Sequence, residues 1–411
     1  MPFHHRLLEK ALKAAARSFP AILVTGPRQS GKTTLLRHFG GKAADVRSLE
    51  DPHVRRQALA DPVGFLASLK KPVFLDEIQN APELLSYIQG EIDRDRKPAQ
   101  WLLSGSQNFA VMQGVSQSLA GRVAVLSLLP FGALEAHAGL DQAADMAAFV
   151  KRLMAGQAPW SKAPRARPEA GAWLLRGGSP EPCLNPKVPL ATWMASYVQT
   201  YLERDVRTLL QVGDLGAFET FLRLCAARTG QLLSLSDLAR DCGVSPATSR
   251  RWLSVLEASH IVFLLQPWHA NFGKRLVKAP KLYFNDPALA AFLLNYGDAK
   301  SLVAGPMGGH LLETAVVSGW RQAYLHRGLI PALYYWRSSD GLEVDLLADL
   351  GGRLLPMEVK LSSTPRPEHA AALQRWNTLT KQAEPTGLVF ANIKQPQPLV
   401  PGIRALPWDW V

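Results

Sequence analysis

The chain has 411 residues, 47% of them hydrophobic and 19% charged, a balance that reads as folded globular protein and allows two or three domains with cores of their own. No run of about 18 uncharged apolar residues occurs and no apolar signal core opens the chain, so a cytoplasmic protein without a membrane partner is expected. Its 46 Lys and Arg against 34 Asp and Glu give a formal charge of +12, which favours a polyanionic partner such as DNA or RNA.

Arg6 to Arg17 carries Leu7, Leu8, Ala11, Leu12 and Ala15 at the spacing of an amphipathic helix. Pro20 ends it, and Ala21–Thr25 reads as a short buried strand leading into a glycine-containing loop. Thr33 to Phe39 continues as a helix. Val73–Leu75 and Trp101–Leu103 are two further buried strands with helical segments between them. Alternation of this kind predicts an α/β core with a parallel sheet and helices on both faces.

The loop after the first strand, Gly26-Pro27-Arg28-Gln29-Ser30-Gly31-Lys32-Thr33, fits G-x-x-x-x-G-K-[ST] between a strand and a helix, the context of a phosphate-binding P-loop. Its glycines let backbone N–H groups turn towards phosphates at the positive end of the helix. Lys32 is expected to neutralise the β- and γ-phosphates of ATP, Thr33 to ligate Mg²⁺, and Thr34 to complete the nucleotide-binding set. Val73–Leu75 runs into Asp76 and Glu77 at the edge where phosphates would lie. Asp76 is expected to hold Mg²⁺ through water, and Glu77 to polarise the attacking water. Ser104 follows the next strand and is a candidate γ-phosphate sensor, ahead of Ser106 and Asn108; the alternative is a hydroxyl capping the next helix. Arg122 ends a helix just before Val123-Ala124-Val125-Leu126, where a cation also complements the helix dipole.

Beyond Leu129 the texture changes. Residues 135 to 190 are rich in Ala, Pro and Gly, and Lys162–Pro168 is too proline-broken for regular structure. Cys183, Cys225 and Cys242 are odd in number and lack C-x-x-C spacing, so buried thiols without a disulfide are expected. Helical periodicity resumes near Trp193. Between Leu235 and Asp286, Ser236 is placed to cap one helix, Gly243 to end it, and Ser245 to cap a second that begins at Pro246. This is a helix-turn-helix, with Trp252, Leu253 and Leu256 facing the core and Thr248, Ser249, Arg250 and Arg251 on the leading face. Two strands, Ile261–Gln266 and Lys281–Phe284, flank a basic segment with Lys274, Arg275, Lys278 and Lys281. A positive wing beside such a helix suits phosphate contacts along duplex DNA, a role expected of Arg250, Arg251, Lys274, Arg275 and Lys278; a lid or protein-docking module is the alternative.

In the last third, Tyr334–Trp336, Leu342–Asp349 and Arg353–Leu361 read as strands. A two-residue turn at Gly351-Gly352 pairs Leu350 with Arg353, places Asp345 opposite Glu358 and Glu343 opposite Lys360, and gathers all four on one face. Val344, Leu346 and Ala348 against Val359, Met357 and Leu355 form the apolar face that fixes this register. Opposed carboxylates need a cation, and a hard divalent metal is the natural one, held by Asp345 and Glu358. With Lys360 beside the water, this is the logic of a D…E-x-K nuclease centre, to which Glu313 from a preceding helix would add a further acid. An exposed hairpin in which Lys360 simply neutralises Glu343 is the alternative.

Val24–Thr34, Leu75-Asp76-Glu77, Leu103–Ser106, Tyr201-Leu202-Glu203-Arg204-Asp205, the winged helix, and Glu343-Val344-Asp345 with Glu358-Val359-Lys360 occur here in this order. Together they resemble a widespread prokaryotic family of AAA ATPases whose C-terminal domain of unknown function is similar to the PD-(D/E)xK, restriction-endonuclease-like superfamily. The chain departs from that family at Asn285-Asp286-Pro287-Ala288, which lacks a glycine after the aspartate, and in the Ala/Pro insertion. The resemblance implies ATP hydrolysis with Mg²⁺, a homo-oligomer such as a hexameric ring, and action on DNA, duplex or branched. It also implies that Arg122 is an arginine finger completing a neighbour's site, and that Mg²⁺ or Mn²⁺ serves the nuclease-like centre.

The expected order is a P-loop AAA ATPase core over 1-135, a linker or lid insertion over 136-190, a helical lid and winged helix-turn-helix over 191-286, and a nuclease-like α/β domain over 287-411. The expected activity is a DNA-binding ATPase that places an endonuclease centre on DNA. The alternatives are a DNA motor or remodeller with an inactive nuclease fold, and a nucleotide-dependent switch that binds protein partners.

Overall fold

The computed structural model describes residues 3–105, 118–137, 139–140, 145–162, 167–201, 215–269, 279–338, 340–381 and 385–411. The chain divides into two compact units. The first comprises Met1–Pro130 with Ala258–His260 and Tyr324–Ile330; the second comprises Phe131–Glu257, Ile261–Ala323 and Pro331–Val411.

The first unit is built on five parallel strands, β1 (Ala21–Thr25), β2 (Asp45–Ser48), β3 (Val73–Asp76), β4 (Trp101–Gly105) and β5 (Val123–Ser127), in the order β2-β3-β4-β1-β5. Strands buried on both faces carry unbroken apolar runs, and β1 and β4 are buried throughout. Alternate residues feed two separate cores. Leu23, Leu75 and Leu103 pack with Leu84, Leu85, Ile88 and Ile92 of the helix Leu84–Arg94. Ile22, Val24, Phe74 and Leu102 pack with Leu8 and Leu12 of helix α1 (Leu8–Ala15) and with Leu35 and Leu36 of helix α2 (Lys32–Gly40). Helices therefore cover both faces, as the alternation of elements requires.

In the second unit, β6 (Gly139–Leu140) pairs with β7 (Trp160–Lys162). Here too β8 (Gln231–Leu232), β9 (Val262–Leu265) and β10 (Lys281–Phe284) form an antiparallel sheet in the order β8-β10-β9. The helices Leu235–Cys242 and Pro246–Ala258 are joined through Gly243, whose φ of 68° is the left-handed conformation that suits glycine. Trp252 meets Phe218 and Phe221 edge-on at 5.2 and 5.5 Å, which seats the second helix on the helix Leu215–Ala227. Ser234, not Ser236, caps the first helix by accepting the Asp237 N–H at 3.3 Å. Ser245 caps the second by accepting the Thr248 N–H at 3.1 Å. Arg250 and Arg251 are exposed as expected, whereas Ser249 is fully buried and leaves the leading face. Lys274, Arg275 and Lys278, like Ser106, Asn108 and 202–205, lie outside the described residues.

The C-terminal sheet has six strands, β11 (Leu333–Arg337), β12 (Glu343–Asp349), β13 (Leu354–Lys360), β14 (Gly387–Ala391), β15 (Gln397–Val400) and β16 (Ile403–Pro407), in the order β11-β12-β13-β14-β16-β15. It is mixed: β13, β14 and β16 run parallel, and β11 to β13 form an antiparallel meander. Pairing of Leu346 with Met357, Ala348 with Leu355 and Asp349 with Leu354 is the register counted from the Gly351-Gly352 turn. Since β12 and β13 are central and covered on both faces, the carboxylates between them are buried, not displayed on an exposed hairpin.

Asp286 has a structural place. Its carboxylate caps the helix Pro287–Leu293 through the Ala288 N–H at 3.0 Å and accepts from the Gly178 N–H and the Ser179 hydroxyl. Burial pushes its carboxyl up, against the pull of those donors. The three cysteines are free, and burial raises the Cys225 thiol far above its ordinary value, which leaves it inert. Among the described residues no helix is long and apolar enough to cross a membrane.

Candidate active site

The loop from Gly26 to Gly31 leaves the carboxyl edge of β1 and enters α2 at Lys32. Its path needs positive φ at Gly26, Gln29 and Gly31, at 149°, 59° and 93°. A Cβ on Gly26 would sit 2.0 Å from the Leu128 carbonyl oxygen, so no other residue fits there. The Lys32 ammonium is curled into the loop, donating to the carbonyls of Gly26 at 3.0 Å and Pro27 at 2.8 Å. The Ser30 hydroxyl is buried without a hydrogen-bond partner among the described residues. Arg6 braces the loop from outside, donating to the Ser30 carbonyl at 2.9 Å and to the Leu129 carbonyl at 2.7 Å.

Asp76 ends β3 on the same edge. It accepts from the Thr33 hydroxyl at 2.9 and 3.0 Å and from the Ser104 hydroxyl of β4, so Thr33, Asp76 and Ser104 form one hydrogen-bonded set. Glu77 follows with φ of 58°; its N–H donates to the Ser104 hydroxyl at 3.2 Å, and its carboxylate accepts from the Gln79 amide. Ser104 therefore ties the two acids together through its side chain instead of capping a helix. This donor set suits a magnesium nucleotide: Thr33 and Asp76 are placed to hold the cation, and Lys32, Ser30 and the loop amides to hold phosphate. Arg28 and Thr34 complete the loop and the first turn of α2. Arg122 lies at the opposite, amino edge of the sheet, where it makes a two-pronged pair with Asp93 at 2.7 and 2.9 Å. It does not reach its own chain's phosphate loop.

The second unit holds a buried charge centre. Asp345 and Glu358 are 8% and 5% exposed, and Glu313 on the helix Gly308–Leu325 is 8% exposed. The Val359 N–H donates to Asp345 at 2.8 Å, and the Lys360 ammonium pairs with one Glu358 oxygen. The other Glu358 oxygen, Oε2, is buried without a hydrogen-bond partner among the described residues. Glu313 accepts from Lys281 at 3.0 Å and from the Tyr283 hydroxyl at 2.5 Å. Glu343 does not pair with Lys360; it goes to Lys281, with Arg337 at 3.8 Å. Lys281, read from sequence as part of a DNA-facing wing, is instead 2% exposed and is the internal counter-ion of this centre. The signal that gives it away is its neighbours: Leu282-Tyr283-Phe284 make β10 an apolar strand buried at every position.

Four carboxyls here share three cations, which leaves an excess of negative charge. Burial pushes Asp345 up, with Glu313 adding to it; burial pushes Glu358 up, with Asp345 adding to it. Both are relieved by taking up a proton or by binding a cation. Burial opposes the charge on Lys281, but Glu313, Asp345 and Glu343 outweigh it and keep the ammonium protonated. Asp345 and Glu358, with the unpartnered Oε2 of Glu358, are a donor set that could hold a divalent metal through carboxylates.

The parallel sheet, the glycine loop after β1 and the paired acids at the end of β3 define a P-loop ATPase of the AAA type. Residues 18–137 match an AAA domain, residues 168–300 a domain of unknown function (DUF8612), and residues 308–411 another domain of unknown function (DUF4143). Over 358 residues the chain is 34% identical to the uncharacterized protein Rv2008c of Mycobacterium tuberculosis and equally to the uncharacterized protein Mb2031c of Mycobacterium bovis. The match covers 86% of this chain and 73% of each relative, and the chain belongs to the family of these mycobacterial proteins. Among solved structures it is loosely similar to the Walker-type ATPase PABY2304 of Pyrococcus abyssi, at 15% identity and a TM-score of 0.41, over 70% of this chain and 94% of that one. A fainter likeness is to the RuvB Holliday junction branch migration motor of Thermotoga maritima, at 18% identity and a TM-score of 0.28, over 62% and 88%.

Proposed function

We propose that this ATPase acts on DNA, and that the buried carboxylates of its C-terminal unit form a metal-dependent endonuclease centre driven into place by the nucleotide cycle. The single observation that carries the reading is the pair Asp345 and Glu358, buried on adjacent strands with one carboxylate oxygen unpartnered and Lys360 alongside. Such a centre is costly to keep unless it binds something. The net charge of +12 and the exposed Arg250 and Arg251 at the head of the second helix of the helix-turn-helix support a DNA partner. Lys274, Arg275 and Lys278 are proposed as further DNA contacts on the grounds of the sequence alone.

In the ATPase unit, Lys32 and the loop amides hold the triphosphate, Thr33 and Asp76 hold Mg²⁺, and Ser104 keeps Asp76 and Glu77 in register. Glu77 takes a proton from the attacking water as its oxygen bonds the γ-phosphorus and the bond to the β-phosphate oxygen breaks. Arg122, remote from its own loop, acts on a neighbouring subunit's nucleotide in a ring such as a hexamer, once its hold on Asp93 is released.

In the C-terminal unit, Asp345 and Glu358 would hold Mg²⁺ or Mn²⁺, which supplies water activation and charge stabilisation at a phosphodiester. Lys360 orients that water, and Glu313, fixed by Lys281 and Tyr283, keeps the local charge negative. We assign 1-135 to the ATPase core, 136-190 to an insertion, 191-286 to the lid and winged helix, and 287-411 to the nuclease-like domain.

The test is a panel of single-stranded, duplex and four-way DNA, incubated with protein, Mg²⁺ or Mn²⁺, with and without ATP. Metal-dependent nicking that disappears in Asp345→Ala is expected. Salt-sensitive DNA binding with no cleavage by the parent protein would reduce the centre to a gripping module. No binding to any DNA, with ATP turnover indifferent to nucleic acid, would replace the whole proposal with a protein-binding switch.

A further inference from the structure

A second cluster lies on the ATPase unit, outside both centres. His5, Glu9 and His38 bring one ligand atom each to within 4.8 Å of one another, the only three-residue group of His, Cys, Asp and Glu to do so among the described residues. Glu9 belongs to the first turn of α1 and is 5% exposed; His38 lies in the last turn of α2; His5 is in the segment that enters α1. The His5 ring nitrogen Nδ1 is 3.1 Å from Glu9 Oε1. Phe3 lies flat on the His38 ring, at a centroid distance of 3.6 Å and an interplanar angle of 10°, and meets His5 edge-on at 5.3 Å.

We infer that His5, Glu9 and His38 form a binding site for a divalent transition metal, for which zinc is the best match. Two imidazoles and one carboxylate are the donors that zinc takes in three-ligand sites, with a fourth position left to water. Zinc-to-ligand distances of about 2.0–2.2 Å put neighbouring ligand atoms about 3.3 Å apart, so the cluster must close by roughly 1.5 Å. The exposed imidazoles can turn to do this, while Glu9 stays fixed by the Arg6 N–H that donates to its Oε1 at 2.8 Å. Phe3 shields one side of the site and limits the ways His38 can rotate.

The placement gives the ion a task. It would join the segment before α1 to the end of α2, and next to its first ligand, His5, stands Arg6, whose N–H holds Glu9 and whose guanidinium holds the Ser30 and Leu129 carbonyls at the phosphate loop. The metal is therefore a brace that fixes Arg6 and, through it, the loop. That consequence rests on the nucleotide reading of the loop; the metal site itself does not.

The experiment uses the whole 411-residue chain without a tag, titrated with zinc in competition with a chromophoric chelator, alongside His38→Gln, His5→Gln and His4→Gln. One zinc per chain is expected for the parent and for His4→Gln. Affinity is expected to fall by at least about tenfold in His38→Gln and His5→Gln, the least that loss of even an outer partner costs a metal site. Equal thermal melts of the metal-free proteins establish that folding is unchanged. Zinc uptake by His38→Gln equal to the parent's would overturn the site and assign the binding to the amino-terminal histidines alone. Zinc binding to the parent with no effect on its nucleotide affinity would overturn only the brace.

Discussion

Glu77→Gln is expected to lower ATP turnover by about 10²- to 10⁴-fold, the usual contribution of a positioned general base, while leaving nucleotide affinity near the parent's. The amide keeps the shape of the side chain and its contact with Gln79 but cannot take the proton of the attacking water. The backbone stays where Ser104 holds it, because that contact is made by the Glu77 N–H. Phosphate release under saturating ATP, measured beside equilibrium binding of a fluorescent ATP analogue, separates the two quantities. Parent-level turnover would remove Glu77 from the chemistry. A matched loss of binding would show that the change had disturbed Asp76 and Thr33 instead.

Lys281→Met is expected to destabilise the C-terminal unit by about 3–5 kcal/mol, the cost of breaking a buried ion pair by removing one partner. Glu313 and Glu343 would lose their shared cation in a place where water does not reach Lys281. Because Glu313, whose carboxyl burial already pushes up, can respond by taking up a proton, the deficit should be largest at neutral pH and shrink as pH falls. Adding Glu313→Leu should recover part of the loss, since an apolar pair replaces an ionic one at little cost. Denaturant melts of the single and double variants check this. A single variant as stable as the parent would show that Lys281 is not the counter-ion of the centre.

What the sequence discloses depends on whether burial and chemistry point the same way. β1 and β3 are apolar runs that end in the glycine loop and in Asp76 and Glu77, so their place in the sheet and the task expected of their ends are visible together. β2 is a half-buried edge strand, Asp-Val-Arg-Ser, which carries no apolar alternation and cannot be told from a turn. The register between β12 and β13 was legible from Leu346 to Asp349 because Gly351-Gly352 fixes the turn; the pairing does not extend to the expected Asp345–Glu358 and Glu343–Lys360 oppositions, where the Val359 N–H donates to the Asp345 side chain instead. The burial of this pair was not legible, because β14 and the helix Ala371–Leu379 that cover it come from later in the chain.

Lys281 shows the limit most sharply. It follows a run of basic residues and looks like part of their surface, yet the strand it opens is apolar and its partners are acids more than thirty residues away. Ser234 could have been found: Ser-x-x-Asp from Ser234 to Asp237 is the spacing of a helix start, and it outranks Ser236 on that ground. Ser249 and Arg250 are adjacent on one helix, and only packing against a neighbouring helix decides that the first is buried and the second exposed.

The grip of the loop on triphosphate is measured most directly by nucleotide binding and turnover in Lys32→Ala. The Lys32 ammonium already sits among the carbonyls of Gly26 and Pro27, from which it would transfer to phosphate. Affinity for ATP and its hydrolysis are both predicted to collapse, with the melting transition of the nucleotide-free protein preserved. A variant that binds and turns over ATP like its parent would contradict the account at its root.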